Sequence, residues 1–309
     1  MKRPSGWLYF TGAFILAGTS VVAARFVGSR LGMFTVTAMS LLFALPALVA
    51  MSAGKIINTI RKMTWRDWVM ALLQAVFGIV LFRLLLLMGL SRTSAAEAGI
   101  LTGATPAATA LLAGLLLRER ISPGRAAGIL FTVAGVLLLQ GLLTPGMVFS
   151  TEHIVGNLLV LLAALSESVF NILSRAGFLR ATGRQAAAPD PISQTALVTM
   201  AALLLCLIPA AGERPITALV ALDWTGWLAL LWYGLFATAA AYICWYSGIF
   251  RCEASVAAAF SGLMPLTALA LSAALLGERP GWQQLVGGAL VVAGMLLVGV
   301  RGANKNHPL

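Results

Sequence analysis

Residues 248–297, GIFRCEASVAAAFSGLMPLTALALSAALLGERPGWQQLVGGALVVAGMLL, match residues 89–138, GLSRTSAAEAGILTGATPAATALLAGLLLRERISPGRAAGILFTVAGVLL, without a gap at an offset of 159. Seventeen of the 50 aligned positions are identical. General apolar similarity would align Leu and Ala, but it would not bring Pro, Glu-Arg and spaced Gly into register. The chain therefore contains an internal repeat. Matched residues include Gly89/Gly248, Arg92/Arg251, Gly103/Gly262, Pro106/Pro265, Glu119/Glu278, Arg120/Arg279, Gly128/Gly287 and Gly135/Gly294.

The composition around this repeat is that of a membrane protein. Of the 309 residues, 60% are hydrophobic and 10% charged, against about 45–50% and 25% in soluble domains. Mean hydropathy is +0.94. The net charge of +11 comes from basic residues placed singly or in small groups between apolar runs, so nucleic acid is not an expected partner. Three cysteines without metal spacing predict neither a disulfide framework nor a metal site.

The chain is predicted to be an all-α polytopic membrane protein with ten transmembrane helices. Each apolar run approaches the roughly 20 residues that cross the hydrocarbon core. The first run follows Lys2 and Arg3 but is longer than a signal-peptide core, so we interpret it as a retained helix. The connections are short, the longest being 53–67 and 177–191. The predicted spans are 6–24, 33–52, 68–90, 94–117, 124–143, 154–176, 192–211, 225–247, 254–276 and 282–300.

The distribution of Lys and Arg predicts the orientation of these spans. With the N-terminus in the cytoplasm, 15 basic residues fall in cytoplasmic segments and 5 in outer segments. Basic residues favour the cytoplasmic side, so both termini are expected there, in a multi-pass protein of the cell (inner) membrane.

The repeat offset covers five predicted helices, an odd number, so the second copy is expected to be inserted upside down. The chain then divides into two five-helix repeats, residues 1–150 and 151–309, which form one membrane domain. Inverted repeats are typical of secondary transporters that work by alternating access. This pattern predicts a central cavity between the repeats, bounded by spans 1, 3, 4, 6, 8 and 9.

The most telling stretch runs from Gly277-Glu278-Arg279-Pro280 through Gln284 to Gly287 and Gly294. It resembles the G-E-x-P…Q…G…G pattern of the EamA branch of the drug/metabolite transporter superfamily. The first copy has Arg118 in place of the leading Gly. The resemblance covers nearly the whole chain and implies a carrier of amino acids, metabolites or toxic compounds, often driven by protons. It carries little information about the substrate.

Glu167 is the main candidate for binding a proton or a cationic substrate group. It stands about thirteen residues into the sixth span, roughly 20 Å along the helix. Placing a carboxylate at this depth in the membrane costs at least about 2.5–3.5 kcal/mol of free energy, so such a residue normally faces a polar cavity and has a function. Asn171 lies on the same helix face at i+4. The alternative is a protonated Glu167 that bonds to a neighbouring helix.

Arg83 is the first candidate for holding an anionic substrate group. It lies about 10 Å from the outer end of the third span, with apolar neighbours on both sides. Two alternatives remain open. One is a structural pair with Glu97 across the short hairpin, and the other is snorkelling to the interface.

Pro106 and Pro265 occupy matching places in spans four and nine and are candidate hinges. Proline removes a helix hydrogen bond and frees the carbonyl four residues back, here those of Thr102 and Ser261. Symmetrically interrupted helices often mark a substrate site at the membrane midplane. A packing kink whose freed carbonyl is satisfied locally is the alternative.

Further candidate substrate contacts are deep aromatic and polar side chains. An aromatic lining suits flat, amphipathic or cationic substrates, while the amides could orient substrate or join two helices. Trp232 and Tyr246 are interpreted as interfacial anchors. The Gly pairs at seven-residue spacing are predicted to pack helices closely, and the Glu-Arg pairs at 119–120 and 278–279 to cap loops or form gating ion pairs. The substrate candidates are Tyr242, Trp245, Phe77, Gln74 and Asn171, together with Thr102 and Ser261 beside the two prolines.

The expected function is secondary-active export of a small amphipathic metabolite or amino-acid derivative. Import, uniport and channel activity stay open as alternatives, and so does a membrane enzyme. Enzyme chemistry usually needs His, paired Asp or Ser with a base in a cavity, but His153 and His307 lie outside the spans and no span contains Asp. No cofactor is expected. The expected partners are the small-molecule substrate, the lipid bilayer and, as a candidate, the proton. Monomer and homodimer are both left open.

Overall fold

The computed structural model describes residues 6–27, 31–93, 101–102, 104–139, 154–183, 190–276 and 281–303. All regular secondary structure in these ranges is helical. The first half contains α1 (Gly6–Val27), α2 (Met33–Lys62), α3 (Trp65–Ala75), α4 (Phe82–Leu90), α5 (Thr105–Leu116) and α6 (Pro123–Leu139). The second half contains α7 (Ile154–Gly183), α8 (Pro191–Gly212), α9 (Pro215–Val220), α10 (Trp224–Trp232), α11 (Ala241–Ile249), α12 (Ala254–Phe260), α13 (Leu263–Leu276) and α14 (Trp282–Ala303).

Two long helices are continued through a π-helical segment. Val76–Leu81 joins α3 to α4, and Tyr233–Ala240 joins α10 to α11. Six helical stretches in the described ranges are long and apolar enough to cross a membrane. These stretches establish a multi-pass membrane protein. They are Met33–Lys62, Trp65–Leu86, Ile154–Thr182, Pro191–Gly212, Trp224–Ile249 and Ala254–Leu275.

The prediction of a long connection at 53–67 was wrong. Helix α2 continues to Lys62, and α3 begins at Trp65 after the N-cap Thr64. The backbone kinks at Ser52, where φ is −159° and ψ is 36°. Hydropathy ends a span at the first charged residues, but a helix can continue into water, where its polar side chains are solvated. Helix α7 likewise runs to Gly183, beyond the predicted end at 176.

The predicted close packing of the paired glycines is confirmed. A Cβ atom on Gly294 would lie 2.5 Å from the Gly128 carbonyl oxygen, and one on Gly287 would lie 2.7 Å from that of Gly135. Helices α6 and α14 therefore run antiparallel with their backbones in contact, which small residues alone permit. Thr132 also donates from α6 to the Ala259 carbonyl, over 3.0 Å.

Two glutamates each cap a helix that belongs to the other half of the chain. Glu119, just beyond α5, accepts hydrogen bonds from the backbone N–H groups of Ala254 (2.9 Å) and Ser255 (3.1 Å) at the start of α12. Glu213, just beyond α8, accepts from those of Phe34 (3.1 Å) and Thr35 (2.8 Å) at the start of α2. A carboxylate at a helix N-terminus satisfies free N–H groups and complements the helix dipole. Glu119 thus caps the N-terminus of a helix, whereas the sequence predicted that it caps a loop or forms a gating ion pair. Glu278 lies outside the described residues.

Arg118 follows the C-terminal end of α5 and adopts a left-handed backbone conformation, with φ at 54°. Its side chain is exposed. The repeat aligns it with Gly277, the residue type that adopts positive φ without a steric cost. Arg118→Gly is therefore expected to stabilise the protein by about 0.5–1 kcal/mol, the steric relief exceeding the entropy that glycine adds to the unfolded chain.

Thermal unfolding in detergent would measure the gain. The matched control is Arg120→Gly, at an exposed position whose φ is not positive, where glycine should give no gain. Equal responses of the two variants would refute the strain at Arg118.

Candidate functional site

Glu167 lies in the interior of the helix bundle, at the middle of α7. Its side chain is partly buried and keeps some accessible surface. The Thr105 side chain of α5 faces its carboxyl group. The carboxyl group therefore lies within reach of a polar side chain on a neighbouring helix.

The polar neighbours of Glu167 mainly join helices. Ser166 donates to the Phe77 carbonyl oxygen over 2.8 Å, and Ser168 accepts from the Thr109 hydroxyl of α5 over 3.1 Å. The Asn171 amide donates to the Thr109 hydroxyl over 3.2 Å. The buried Asn171 thus ties α7 to α5, which favours its structural alternative.

Arg83 points towards α2 and the π-helical segment that follows α10. Its guanidinium donates to the Thr37 hydroxyl over 3.0 Å and lies 5.0 Å from the centre of the Tyr233 ring. Glu97, the predicted pairing partner, lies outside the described residues. Among the described residues, Arg83 thus contacts a hydroxyl group and an aromatic face, and neither neutralises its charge.

Tyr242 is a third member of this region. It is within electrostatic reach of both Arg83 and Glu167, and its hydroxyl donates to the Gly78 carbonyl oxygen over 3.3 Å. Gly78 belongs to the first π-helical segment, where i→i+5 bonding leaves carbonyl groups for other partners. The carbonyl of the adjacent Phe77 accepts from Ser166 in the same way.

Trp245 belongs to a buried aromatic cluster beside this site. Its ring centre lies 5.5 Å from that of Phe10, 5.9 Å from that of Phe14 and 5.7 Å from that of Phe170. The indole Nε1–H is buried and has no hydrogen-bond partner among the described residues. An unmet buried donor costs about 1–3 kcal/mol, so this N–H is available to a ligand.

The predicted interruption of spans four and nine is present in the described ranges. Helix α5 starts at Thr105 with Pro106 in its first turn, and α13 starts at Leu263, two residues before Pro265. The Ser261 carbonyl accepts from the Met264 N–H over 3.1 Å, and the Ser261 hydroxyl donates to the Ala258 carbonyl over 2.9 Å. Ser261 is therefore satisfied locally. Thr102 lies in a helical residue pair before the first interruption and is partly buried.

Gln74 joins α3 to three other helices. Its amide donates to the Leu173 carbonyl over 3.3 Å, and its oxygen accepts from Gln194 over 2.9 Å and from Tyr246 over 2.8 Å. The interpretation of Tyr246 as an interfacial anchor was wrong, because its side chain is fully buried. We call Gln74, Gln194 and Tyr246 the amide cluster.

A cavity of about 560 Å³ opens below the amide cluster, between α2, α3, α7 and α8. It lies at the end of the bundle that carries Lys55, Lys62 and Arg180, the predicted cytoplasmic end. We call it the entry cavity. Of the site residues predicted from the sequence, Gln74 alone is among those that line it. Glu167, Tyr242, Phe77 and Trp245 instead gather above the amide cluster, around Phe170 and Ser166.

Comparison with known proteins gives the family of the chain. The EamA-like transporter family matches residues 4–140 and again residues 154–300. The chain belongs to the EamA-like transporter family. Together with the transporter names of its relatives, membership indicates a membrane transporter rather than an enzyme, and it confirms the resemblance seen in the sequence.

Several EamA-like relatives align over nearly the full length. An uncharacterized transporter, YetK, of Bacillus subtilis is 29% identical over 97% of this chain and 88% of that protein. A probable terminal-alkyne amino-acid exporter of Streptantibioticus cattleyicolor is 27% identical over 92% of both. The aromatic amino acid exporter YddG of Ancylobacter novellus is 26% identical over 97% and 96%. A crystal structure with 21% identity matches with a TM-score of 0.75 over 98% of this chain and 99% of that chain, which shows the same fold.

Sequence reasoning missed Gln194, Thr105 and the two π-helical segments of this EamA-like protein. Gln194 could have been found as one of three consecutive polar residues, Ser193-Gln194-Thr195, within the predicted span 192–211. Thr105 lies one residue before the predicted hinge proline, and its contact with Glu167 depends on the packing of α5 against α7. The π-helical segments have no comparable sequence signal.

Proposed function

We propose that this EamA-like protein is a secondary carrier that exports a small zwitterionic metabolite, an amino acid or its derivative. In this proposal the two halves are inverted five-helix repeats with ten spans in the inner membrane and both termini in the cytoplasm. They alternate in opening the central site to either side. Glu167 binds the ammonium group of the substrate or a proton, and Arg83 binds the carboxylate.

The observation that carries the proposal is that two side chains of opposite charge lie within electrostatic reach of Tyr242. Arg83 and Glu167 both lie within electrostatic reach of the tyrosine, and they form no salt bridge with each other. Charge-assisted hydrogen bonds are the strong ones in a protein interior. A ligand with one positive and one negative group would compensate both side chains at once, whereas an uncharged ligand would leave both uncompensated.

The surrounding side chains fit the remainder of such a substrate. The free Nε1–H of Trp245 can donate to a carboxylate oxygen, and the rings of Phe10 and Phe170 provide an apolar surface. The names of two relatives, an aromatic amino acid exporter and a terminal-alkyne amino-acid exporter, support the same substrate class.

The entry cavity supports export as the direction. It opens at the end that carries the excess of Lys and Arg, which favours a cytoplasmic location, so a substrate made in the cell would reach it first. Because a carboxyl group can hold either a proton or an ammonium group, competition at Glu167 would couple export to proton entry. A carrier whose single site binds the proton and the substrate alternately exchanges one for the other across the membrane.

Substrates that lack one charge test the proposal in proteoliposomes. We expect phenylalanine to be transported faster than either its amide, which lacks the carboxylate, or N-acetylphenylalanine, which lacks the ammonium group. In Arg83→Gln the preference for phenylalanine over the amide should fall about tenfold, the effect of one charge-assisted bond of about 1.5 kcal/mol. A pH-sensitive dye inside the vesicles would report proton exchange.

The matched control is Arg92→Gln, which removes an exposed arginine beyond the end of α4. It should keep the preference of the unmodified protein. Equal transport of all three compounds, or an Arg83→Gln variant with unchanged preference, would contradict a zwitterion site.

A further inference from the structure

We propose that the entry cavity is a second binding site, for an organic anion with a flat apolar group. Binding at this site goes beyond the proposed function and does not depend on transport. The ligand class follows from the volume of the cavity, its unpaired cations, its aromatic wall and its closed inner end.

The entry cavity has the size of a small-metabolite site. At about 560 Å³ it lies within the range of roughly 300–1,000 Å³ that is typical of ligand pockets. Its walls come from four helices, α2, α3, α7 and α8, and from Phe250 at the end of α11. A ligand inside would therefore contact both halves of the chain.

The charges that line the entry cavity leave a positive excess. Lys55, Lys62 and Arg180 against Asp67 and Asp190 give the lining a net charge of +1. Asp190 lies 3.7 Å from Lys55 in a salt bridge, and Asp67 accepts from the backbone N–H and the hydroxyl of Thr64 and keeps its negative charge. Lys62 and Arg180 also line the cavity and have no ion-pair or hydrogen-bond partner among the described residues. Both cations would attract an anion that enters the cavity.

One wall of the entry cavity is aromatic. Phe178 and Phe250 stack with their ring centres 4.8 Å apart and their planes at 14°. The apolar side chains of Met70 and Leu197 also line the cavity. A flat apolar group can pack on this surface while its acid group reaches the cations, so the pocket selects amphipathic anions over simple ones.

The inner end of the entry cavity is closed by the amide cluster. Gln74 and Gln194 line the cavity and bond to each other, and the buried Tyr246 hydroxyl bonds to the same Gln74 oxygen. A ligand in the entry cavity is thus separated from Glu167 and Arg83. Substitutions at those two residues should leave its binding intact, which makes the two sites experimentally separable.

Isothermal titration of the purified full-length protein in an uncharged detergent tests the inference with three probes. Phenylacetate carries both features, phenethylamine has the ring with the opposite charge, and acetate has the charge without the ring. We expect phenylacetate to bind most tightly. Its Kd should rise about fivefold in Lys62→Gln and in Arg180→Gln, the effect of one partly exposed charge pair, and less so at high salt.

The control variants separate the two proposals. Arg61→Gln removes an exposed cation next to Lys62 that does not line the cavity, and it should bind phenylacetate normally. Arg83→Gln should also bind phenylacetate normally, even if it has lost the substrate preference. A Kd that changes in Arg83→Gln but not in Lys62→Gln would place the anion in the central site and overturn the inference.

An anionic lipid headgroup offers the same charge from another source. Adding phosphatidylglycerol to the micelles distinguishes it, with phosphatidylcholine as the uncharged comparison. We expect phenylacetate to keep its affinity in both. Loss of binding with phosphatidylglycerol alone would show that the cavity holds a lipid headgroup and would overturn a solute site.

Discussion

Glu167→Gln is expected to slow transport of phenylalanine at least tenfold and to remove its dependence on pH. The glutamine has nearly the same shape, but it cannot ionise, so it can neither hold an ammonium group by charge nor exchange a proton. Charge-assisted hydrogen bonds contribute about 1.5–3 kcal/mol, or more than a tenfold change in rate. Initial uptake rates in proteoliposomes over a range of pH would measure both effects.

The same experiment distinguishes loss of a ligand from loss of the fold. Glu152→Gln removes an acidic residue two positions before the start of α7 in the sequence and should transport normally. The thermal midpoint of Glu167→Gln in detergent should stay close to that of the unmodified protein. Unchanged transport with unchanged pH dependence would return Glu167 to a structural role and leave the zwitterion site without its cation-binding side chain.

Gly294→Ala is expected to destabilise the protein by about 1–3 kcal/mol, the usual cost of overpacking a tight core. Its Cβ atom would lie 2.5 Å from the Gly128 carbonyl oxygen and 2.6 Å from the Thr132 hydroxyl oxygen. Because the first of these is backbone, no side-chain rotation can relieve the clash, and α6 and α14 must move apart. Thermal unfolding in detergent would measure the loss.

Gly288→Ala is the matched control in the same helix. Its Cβ atom would lie 2.9 Å from Cδ1 of Leu266, the far end of a flexible side chain that can turn away. Alanine is also the better helix former by about 1 kcal/mol, so this variant should be neutral or slightly more stable. Equal thermal unfolding midpoints for the two variants would contradict the close backbone contact between α6 and α14.

The glycine pairs also show what the sequence could predict. Their seven-residue spacing places them on one helix face, and the repeat places one pair in each half, so close packing followed from the pattern alone. Glu167 and Gln74 stood out in the same way, as polar side chains within apolar runs. Such residues can be found without a structure because a polar group in the membrane is costly wherever it lies.

Other features depend on contacts between segments far apart in the sequence. That Gln74 meets Gln194 and Tyr246 follows from the packing of three helices, and no local pattern encodes it. The end of α2 at Lys62 was missed for another reason: hydropathy reports the membrane boundary, whereas the helix follows backbone hydrogen bonding. One wall of the entry cavity is formed by this extension of α2, so the hydropathy reading could not predict it.

The two π-helical segments bear on the history of the chain. Val76–Leu81 and the residues 235–240 of the second segment stand at the same offset of 159 as the sequence repeat. A π-helical turn accommodates one residue more than the α-helical turn it replaces. Its presence at the same point in both halves is most simply explained by descent, with the additional residue already present in a half-length ancestor before duplication. Two later, independent insertions would have had to fall at matching positions.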